Sequence, residues 1–267
     1  MKDHTILITN DDGIDSPGLR AAAEAVSDIG NIIIAAPRHQ QTGAGRGLTG
    51  DKNACLIPVE YHLNGEPIQA YHCDCSPALI VKHTLRTLFI ENKPDLLVSG
   101  INYGENLGIN VTSSGTVGAA LEAASFGVPG IAVSKQTDVD SHQTYTDQDW
   151  SATAYFLNQF SNGLLTAKLP ADVDVLKIDV PADATRSTPY RITKLARTPY
   201  YAKVLEAPSV ESKIGDGQLI VNIDGAAHDP ESDIYVLAVD RMVSVTPLSL
   251  DLTSRVSLSR LQEALKK

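Results

Sequence analysis

Several signatures of large protein classes are missing from this sequence. No stretch of eighteen apolar residues occurs and no basic-then-apolar leader stands at the start, so neither a membrane span nor a secretory signal is expected. Cysteine is scarce. Cys55, Cys73 and Cys75 are odd in number and two of them nearly adjoin, which is not a disulfide framework and makes a reducing cytoplasm the expected compartment. Basic residues are outnumbered, 22 Lys and Arg against 32 Asp and Glu, for a formal charge of −10. That balance argues against a nucleic-acid polymer as partner, since backbone affinity is carried by clustered Lys and Arg. An acidic protein can still bind a small phosphate ester when a metal ion supplies the local positive charge.

Catalytic signatures are missing too. There is no G-x-x-x-x-G-K-[ST] and no clean G-x-G-x-x-G opening a helix, so neither an ATPase nor a nicotinamide enzyme is supported. A cysteine phosphatase needs an arginine six positions after its nucleophile, where Leu79 and Val81 stand instead. Arg38-His39 lacks the glycine that histidine phosphatases place next, because Gln40 follows. A zinc site on His72, Cys73 and Cys75 would need further soft ligands and only Cys55 remains, so core packing suits these cysteines better.

What is present is an alternation of short apolar runs and helical patterns. With 267 residues, 43% of them apolar, the chain can bury a large core. Strands are expected at Thr5–Thr9, Ile32–Ala36, Leu96–Ser99 and Ile131–Ser134. Helices are expected from Pro17 to Ser27 with Ser16 as cap, from Ser76-Pro77 to about Ile90, and over Gly115–Ala124. Such alternation implies right-handed βαβ units and a mostly parallel sheet covered on both faces. Past Pro181 the pattern turns β-rich, with strands expected at Tyr190–Lys194, Leu219–Ile223, Asp233–Val239 and Ser244–Val245, and Ser257 caps a short helix ending at Lys266-Lys267. Asp138–Asp149 reads as a polar surface loop. The fold expected is an α/β three-layer sandwich with a Rossmann-like sheet over residues 1–180, a β-rich arm over 181–245, and a C-terminal segment with its helix over 246–267.

Four stretches carry chemistry. Ile6-Leu7-Ile8-Thr9 runs straight into Asn10-Asp11-Asp12-Gly13, placing two carboxylates at the carboxyl edge of a sheet, where open α/β sheets bind ligands. Hard divalent cations want such oxygens, although Asn, Asp and Gly are also what turns are made of. Ser99 to Gly108 follows another strand, with glycines at 100, 104 and 108 and with Asn102 and Asn106, either ligand groups or structural asparagines in a glycine-rich loop. Ser113-Ser114-Gly115-Thr116 leads into a helix, whose free N–H groups make an anion site in addition to a serine cap. Ala36 to Gly47 is a third loop behind a strand. Together they specify a metal-assisted site for an anion.

These stretches together resemble the SurE family of survival-protein nucleotidases, through Asn10 to Gly18, Ala36-Pro37 with Thr42-Gly43, Ser99 to Gly108 and Ser114 to Ala120, with Val243 to Leu248 and Asp251 as a closing segment. The resemblance implies metal ligands at Asp11, Asp12, Thr42 and Asn102, and phosphate contacts at Asn106, Ser114, Gly115 and Thr116. Thr42 departs from the family's usual serine, keeping the hydroxyl on a stiffer rotamer. Ser113 stands where the family often carries an aromatic or His. Implied activity is hydrolysis of nucleoside monophosphates by direct attack of water, Asp11 being the preferred group to orient or deprotonate it, with Asp12 beside it. Exopolyphosphatase action and non-catalytic nucleotide binding are the alternatives. Oxygen-rich ligation suits Mg²⁺ or Mn²⁺, with Co²⁺ admissible, over zinc. The family also implies an arm exchanged between subunits, hence a homodimer or homotetramer. Pro199-Tyr200-Tyr201 and Ile234-Tyr235-Val236 are the apolar positions expected to need burial there.

Overall fold

The computed structural model describes residues 4–142, 144–167, 169–221, 223 and 229–266. In chain order the strands are β1 (Thr5–Thr9), β2 (Asn31–Pro37), β3 (Ile57–Pro58), β4 (His62–Leu63), β5 (Glu66–Pro67), β6 (Gln69–Cys73), β7 (Leu96–Tyr103), β8 (Gly130–Lys135), β9 (Val175–Val180), β10 (Tyr190–Ile192), β11 (Tyr201–Val204), β12 (Gln218–Val221) and β13 (Val243–Leu248). The helices are α1 (Pro17–Ala25), α2 (Pro77–Thr87), α3 (Gly115–Ala124), α4 (Ser151–Thr166), α5 (Asp233–Ala238) and α6 (Leu258–Ala264). None of these helices is long and apolar enough to cross a membrane.

Nine strands form one sheet in the order β10-β13-β9-β8-β7-β1-β2-β6-β3. All neighbours are parallel except β13 against β9 and β3 against β6. The apolar run of β1 is continuous because both of its faces are covered. Ile6 and Ile8 join Leu19, Ala22, Phe156 and Leu157 on the side of α1 and α4, while Leu7 points the other way, among Ile80, Val81, Val117 and Ala120 of α2 and α3. This is the expected three-layer α/β sandwich. From β1 the chain builds outward through β2 and β6, then returns to β7 on the other flank of β1 and builds outward again. The carboxyl ends of β1 and β7 therefore flank the crevice where strand order reverses, the ligand position in open α/β sheets.

Several expectations require correction. Asp233–Val239 is not a strand: Asp233–Ala238 is the helix α5, capped by Ser232, whose hydroxyl accepts from the Tyr235 N–H at 3.3 Å. Its β-branched and aromatic residues suggest a strand, but capping and packing decide, since Ile234, Val236 and Leu237 are all fully buried. Tyr200 is also buried, so three of the six apolar positions expected to need burial at a subunit interface, Tyr200, Ile234 and Val236, are buried within this chain itself. Ser244–Val245 lies within β13, which together with β10 extends the main sheet. The separate β-hairpin is β11–β12. β7 runs past Ser99 to Tyr103, with a register shift between Ser99 and Asn102, so Asn102 stands on a strand. Helix α4 and strand β9 lie where no element is expected from the sequence. Lys267, the expected end of the last helix, lies outside the described residues, as do parts of 222–228.

Candidate active site

Asp11 and Asp12 sit just beyond β1, and their turn is built by Asn10. The Asn10 side-chain amide donates to the Gly13 carbonyl at 2.9 Å, and its carbonyl accepts from the Gly13 N–H at 3.1 Å. Asn10 is thus spent on the turn, while both aspartates remain buried. Asp11 abuts the start of α3. The Thr116 hydroxyl donates to Asp11 Oδ1 at 2.5 Å, and the N–H groups of Gly115 and Thr116 also favour its charged form. Only glycine fits at 115, because a Cβ there would stand 2.7 Å from Asp11 Cβ and 2.8 Å from its Oδ2. Asp12 accepts from the Tyr103 N–H at 3.2 Å and from Gln40 Nε2 at 3.3 Å.

The loop after β2 is tied to this turn, since the Gln41 N–H donates to the Asp11 carbonyl at 2.7 Å. Thr42, next along, is exposed at the rim. The same loop is pinned to α3 by Arg46, whose Nε lies 2.8 Å from Glu122 Oε2. Asn102 donates through Nδ2 to the carbonyls of Tyr103 and Gly104, at 3.2 and 2.6 Å, which leaves its own Oδ1 as the acceptor to offer. Asn106 reaches back to the Asn102 neighbourhood: its Nδ2 donates at 2.9 Å to Ser134 Oγ, and Ser134 is the register partner of Asn102 across β7 and β8. Ser114 caps α3 by accepting from the Val117 N–H at 3.2 Å.

The segment expected as a plain surface loop closes one side. The Tyr145 hydroxyl donates to the Asp12 carbonyl at 2.7 Å, Gln40 Nε2 donates to the His142 carbonyl at 2.6 Å, and the Tyr103 hydroxyl donates to the Thr146 carbonyl at 3.0 Å. His142 lies over Gly104, where a Cβ would meet its Nε2 at 2.3 Å. Neither Gln40 nor Tyr145 is signalled by periodicity or motif, because both belong to irregular segments that only the tertiary fold brings to Asp12.

Burial raises the pKa of Asp11, and raises that of Asp12 further, with the adjacent Asp11 charge adding to the effect. Burial, with the Asp12 charge adding to it, pushes Tyr103 and Tyr145 up to about 12, so both hydroxyls stay protonated donors. Burial lowers the pKa of His142 and keeps it neutral. Among the described residues no Lys, Arg or His forms an ion pair with either aspartate. Two buried, adjacent carboxylates without a counter-ion are costly. Carboxylate and amide oxygens are the donors that a hard divalent cation takes, and Asp11, Asp12 and Asn102 carry them. No three His, Cys, Asp or Glu side chains converge among the described residues.

Residues 6–202 match the family described as survival protein SurE. This chain belongs to the SurE family. A 5′-nucleotidase SurE of Thermococcus gammatolerans is 39% identical over 272 residues, covering 97% of this chain and 95% of that protein. Another, from Methanocella arvoryzae, is 38% identical over 259 residues, covering 94% of each. The crystal structure of the SurE protein from Aquifex aeolicus superposes with a TM-score of 0.76 at 26% identity, covering 98% of this chain and 100% of that one. The SurE resemblance drawn from four short stretches thus extends over nearly the whole length.

Proposed function

We propose that this chain is a divalent-metal-dependent phosphomonoesterase that hydrolyses nucleoside monophosphates, a 5′-nucleotidase. The observation that carries the reading is the Asp11–Asp12 pair, buried without a counter-ion against the N-terminus of α3, in a chain whose SurE relatives are named 5′-nucleotidases. Asp11, Asp12 and Asn102 would hold the ion, with the Thr42 hydroxyl completing the set from the rim. When bound, a divalent cation supplies Lewis acidity toward a phosphoryl oxygen and lowers the pKa of water.

The protein's own groups do the rest. Asp11, fixed by the Thr116 hydroxyl, orients the attacking water and takes its proton. The Asn106 amide and the Ser114 hydroxyl offer donors to phosphate oxygens, while the Gly115 and Thr116 N–H groups support the Asp11 carboxylate beside them. Tyr145 and Gln40 hold the Asp12 turn rigid, so that little reorganisation accompanies the reaction. Water attacks the phosphorus directly as the P–O bond to the nucleoside breaks, and the proton taken by Asp11 passes to the leaving oxygen; the Thr116 hydroxyl beside Asp11 is completely buried and spent on that carboxylate. Phosphate release is to be measured across 5′- and 3′-nucleoside monophosphates, triphosphates and tripolyphosphate, with Mg²⁺, Mn²⁺, Co²⁺ or chelator. Selective, metal-dependent release from monophosphates is expected. Release that persists in chelator, or none from any monophosphate, would overturn the reading.

A further inference from the structure

Beneath the loop carrying Asn106 lies a buried ionic network that the reaction above does not use. Lys177 and Asp179, two residues apart on β9, share one face of the sheet. Lys177 Nζ pairs with Asp179 Oδ2 and, at 3.2 Å, with Asp233 Oδ2 from the start of α5. All three side chains are completely buried. Backbone N–H groups supply the other contacts to the two carboxylates. Asp179 Oδ1 accepts from the Asn106 N–H at 2.8 Å, and Asp233 Oδ2 accepts from the Gly108 N–H at 3.0 Å. Asp233 Oδ1 accepts from Ala196 and Ile234, both at 2.9 Å.

Stability is a poor explanation for such a network, because apolar residues of similar volume commonly serve as well as a buried ion pair. Its distinctive product is geometry. The two carboxylates clamp the loop at Asn106 and Gly108, either side of Leu107, which is itself buried against Ile234 and Tyr200. Lys177 holds the two carboxylates together. The loop is thereby fixed from below, while the Asn106 side chain is fixed laterally on Ser134.

We propose that Asp179 and Asp233, joined by Lys177, are positioning residues that hold Asn106 in place to bind the phosphoryl group of the substrate. The proposal rests on the phosphatase reading above. Its test is a double-mutant cycle on the inhibition constant of inorganic phosphate, using full-length protein with saturating Mn²⁺. Asp179→Asn is expected to weaken phosphate binding by about tenfold when Asn106 is present, a coupling typical of groups in one hydrogen-bond network. In an Asn106→Ala background the same change is expected to cost less than about twofold, because the group being positioned is gone. The rise in melting temperature given by Mn²⁺ should be the same in Asp179→Asn as in wild type. Equal losses in both backgrounds, no loss in either, or loss of the Mn²⁺ effect would overturn the proposal. If Asp179→Asn does not fold, Asp233→Asn, which releases the Gly108 clamp, is carried through the same cycle with the same expectations. A wild type that does not bind phosphate sinks the phosphatase reading and this proposal together. A wild type that binds it with an additive cycle sinks this proposal alone.

Discussion

Asp11 is the residue on which most of the proposed chemistry turns. It receives the Thr116 hydroxyl and faces a glycine that leaves no space for a methyl group. Asp11→Asn should lower kcat by a hundredfold or more, roughly the size expected when a general base is lost and a metal site weakened together. Retention of near wild-type turnover would remove Asp11 from the mechanism. Metal addition gives a second readout, independent of turnover. Wild type should gain roughly 2.7 kcal/mol of stability at a Mn²⁺ concentration one hundred times its Kd. Asp11→Asn should lose most of that gain, as read by thermal unfolding. Glu105 offers a pH test away from the reaction. It is buried, accepts from the Tyr200 hydroxyl at 2.6 Å, and has its pKa raised chiefly by burial. A raised pKa means that the folded state holds the proton more tightly, so stability is complete below the unfolded value and falls as pH rises through the folded one. Glu105→Gln keeps an acceptor for Tyr200 and cannot ionise, so its stability relative to wild type should improve as pH rises above about 4.3, the ordinary glutamate value. Parallel denaturation profiles for the two proteins across that range would discard the assignment.

Among the elements, α4 and α5 are the instructive pair. In α4 the buried residues are Ala152, Thr153, Phe156, Leu157, Ser161 and Leu164, a true helical spacing whose core positions are half filled by small or hydroxylated side chains. Counting large apolar residues alone therefore misses it. Phe156, packed beneath β1 with Ile6 and Ile8, should cost about 3–5 kcal/mol of folding free energy on change to Ala. A denaturant midpoint shift corresponding to less than about 1 kcal/mol would mean that α4 is not a true part of the core. In α5 the opposite happens: Ile234, Tyr235 and Val236 favour a strand locally, and the Ser232 cap with burial overrides them. The parallel core was legible because β1, β2 and β8 are uniform apolar runs, and the placement of Asp11 and Asp12 followed from β1 alone. Gln40, Tyr145 and the Lys177 network were not legible. Each depends on side chains distant in sequence meeting through loops or across strands, and no local period records that.

At the scale of the whole molecule, the described residues leave two elements without a core of their own. Strands β11 and β12 pair only with each other, and all four residues of β12 are exposed, including Leu219, Ile220 and Val221. A lone two-stranded hairpin is marginal in water. Helix α6 buries no residue at all, although Leu258 and Leu261 along it and Leu265 at its C-terminal cap recur at helical spacing. A seven-residue helix does not hold itself together without tertiary packing. Exchange of such elements between identical subunits buries them at low cost, because each copy supplies what the other lacks. The chain is therefore expected to be a homodimer at least, and light scattering at micromolar concentration should give no less than twice the chain mass of 28.5 kDa. Ile220→Glu and Leu261→Glu, each placing a charge in one of these apolar patches, should shift the population toward monomer without disturbing the sheet. A wild type that scatters as a monomer and is fully active would show that the hairpin and α6 do not serve assembly.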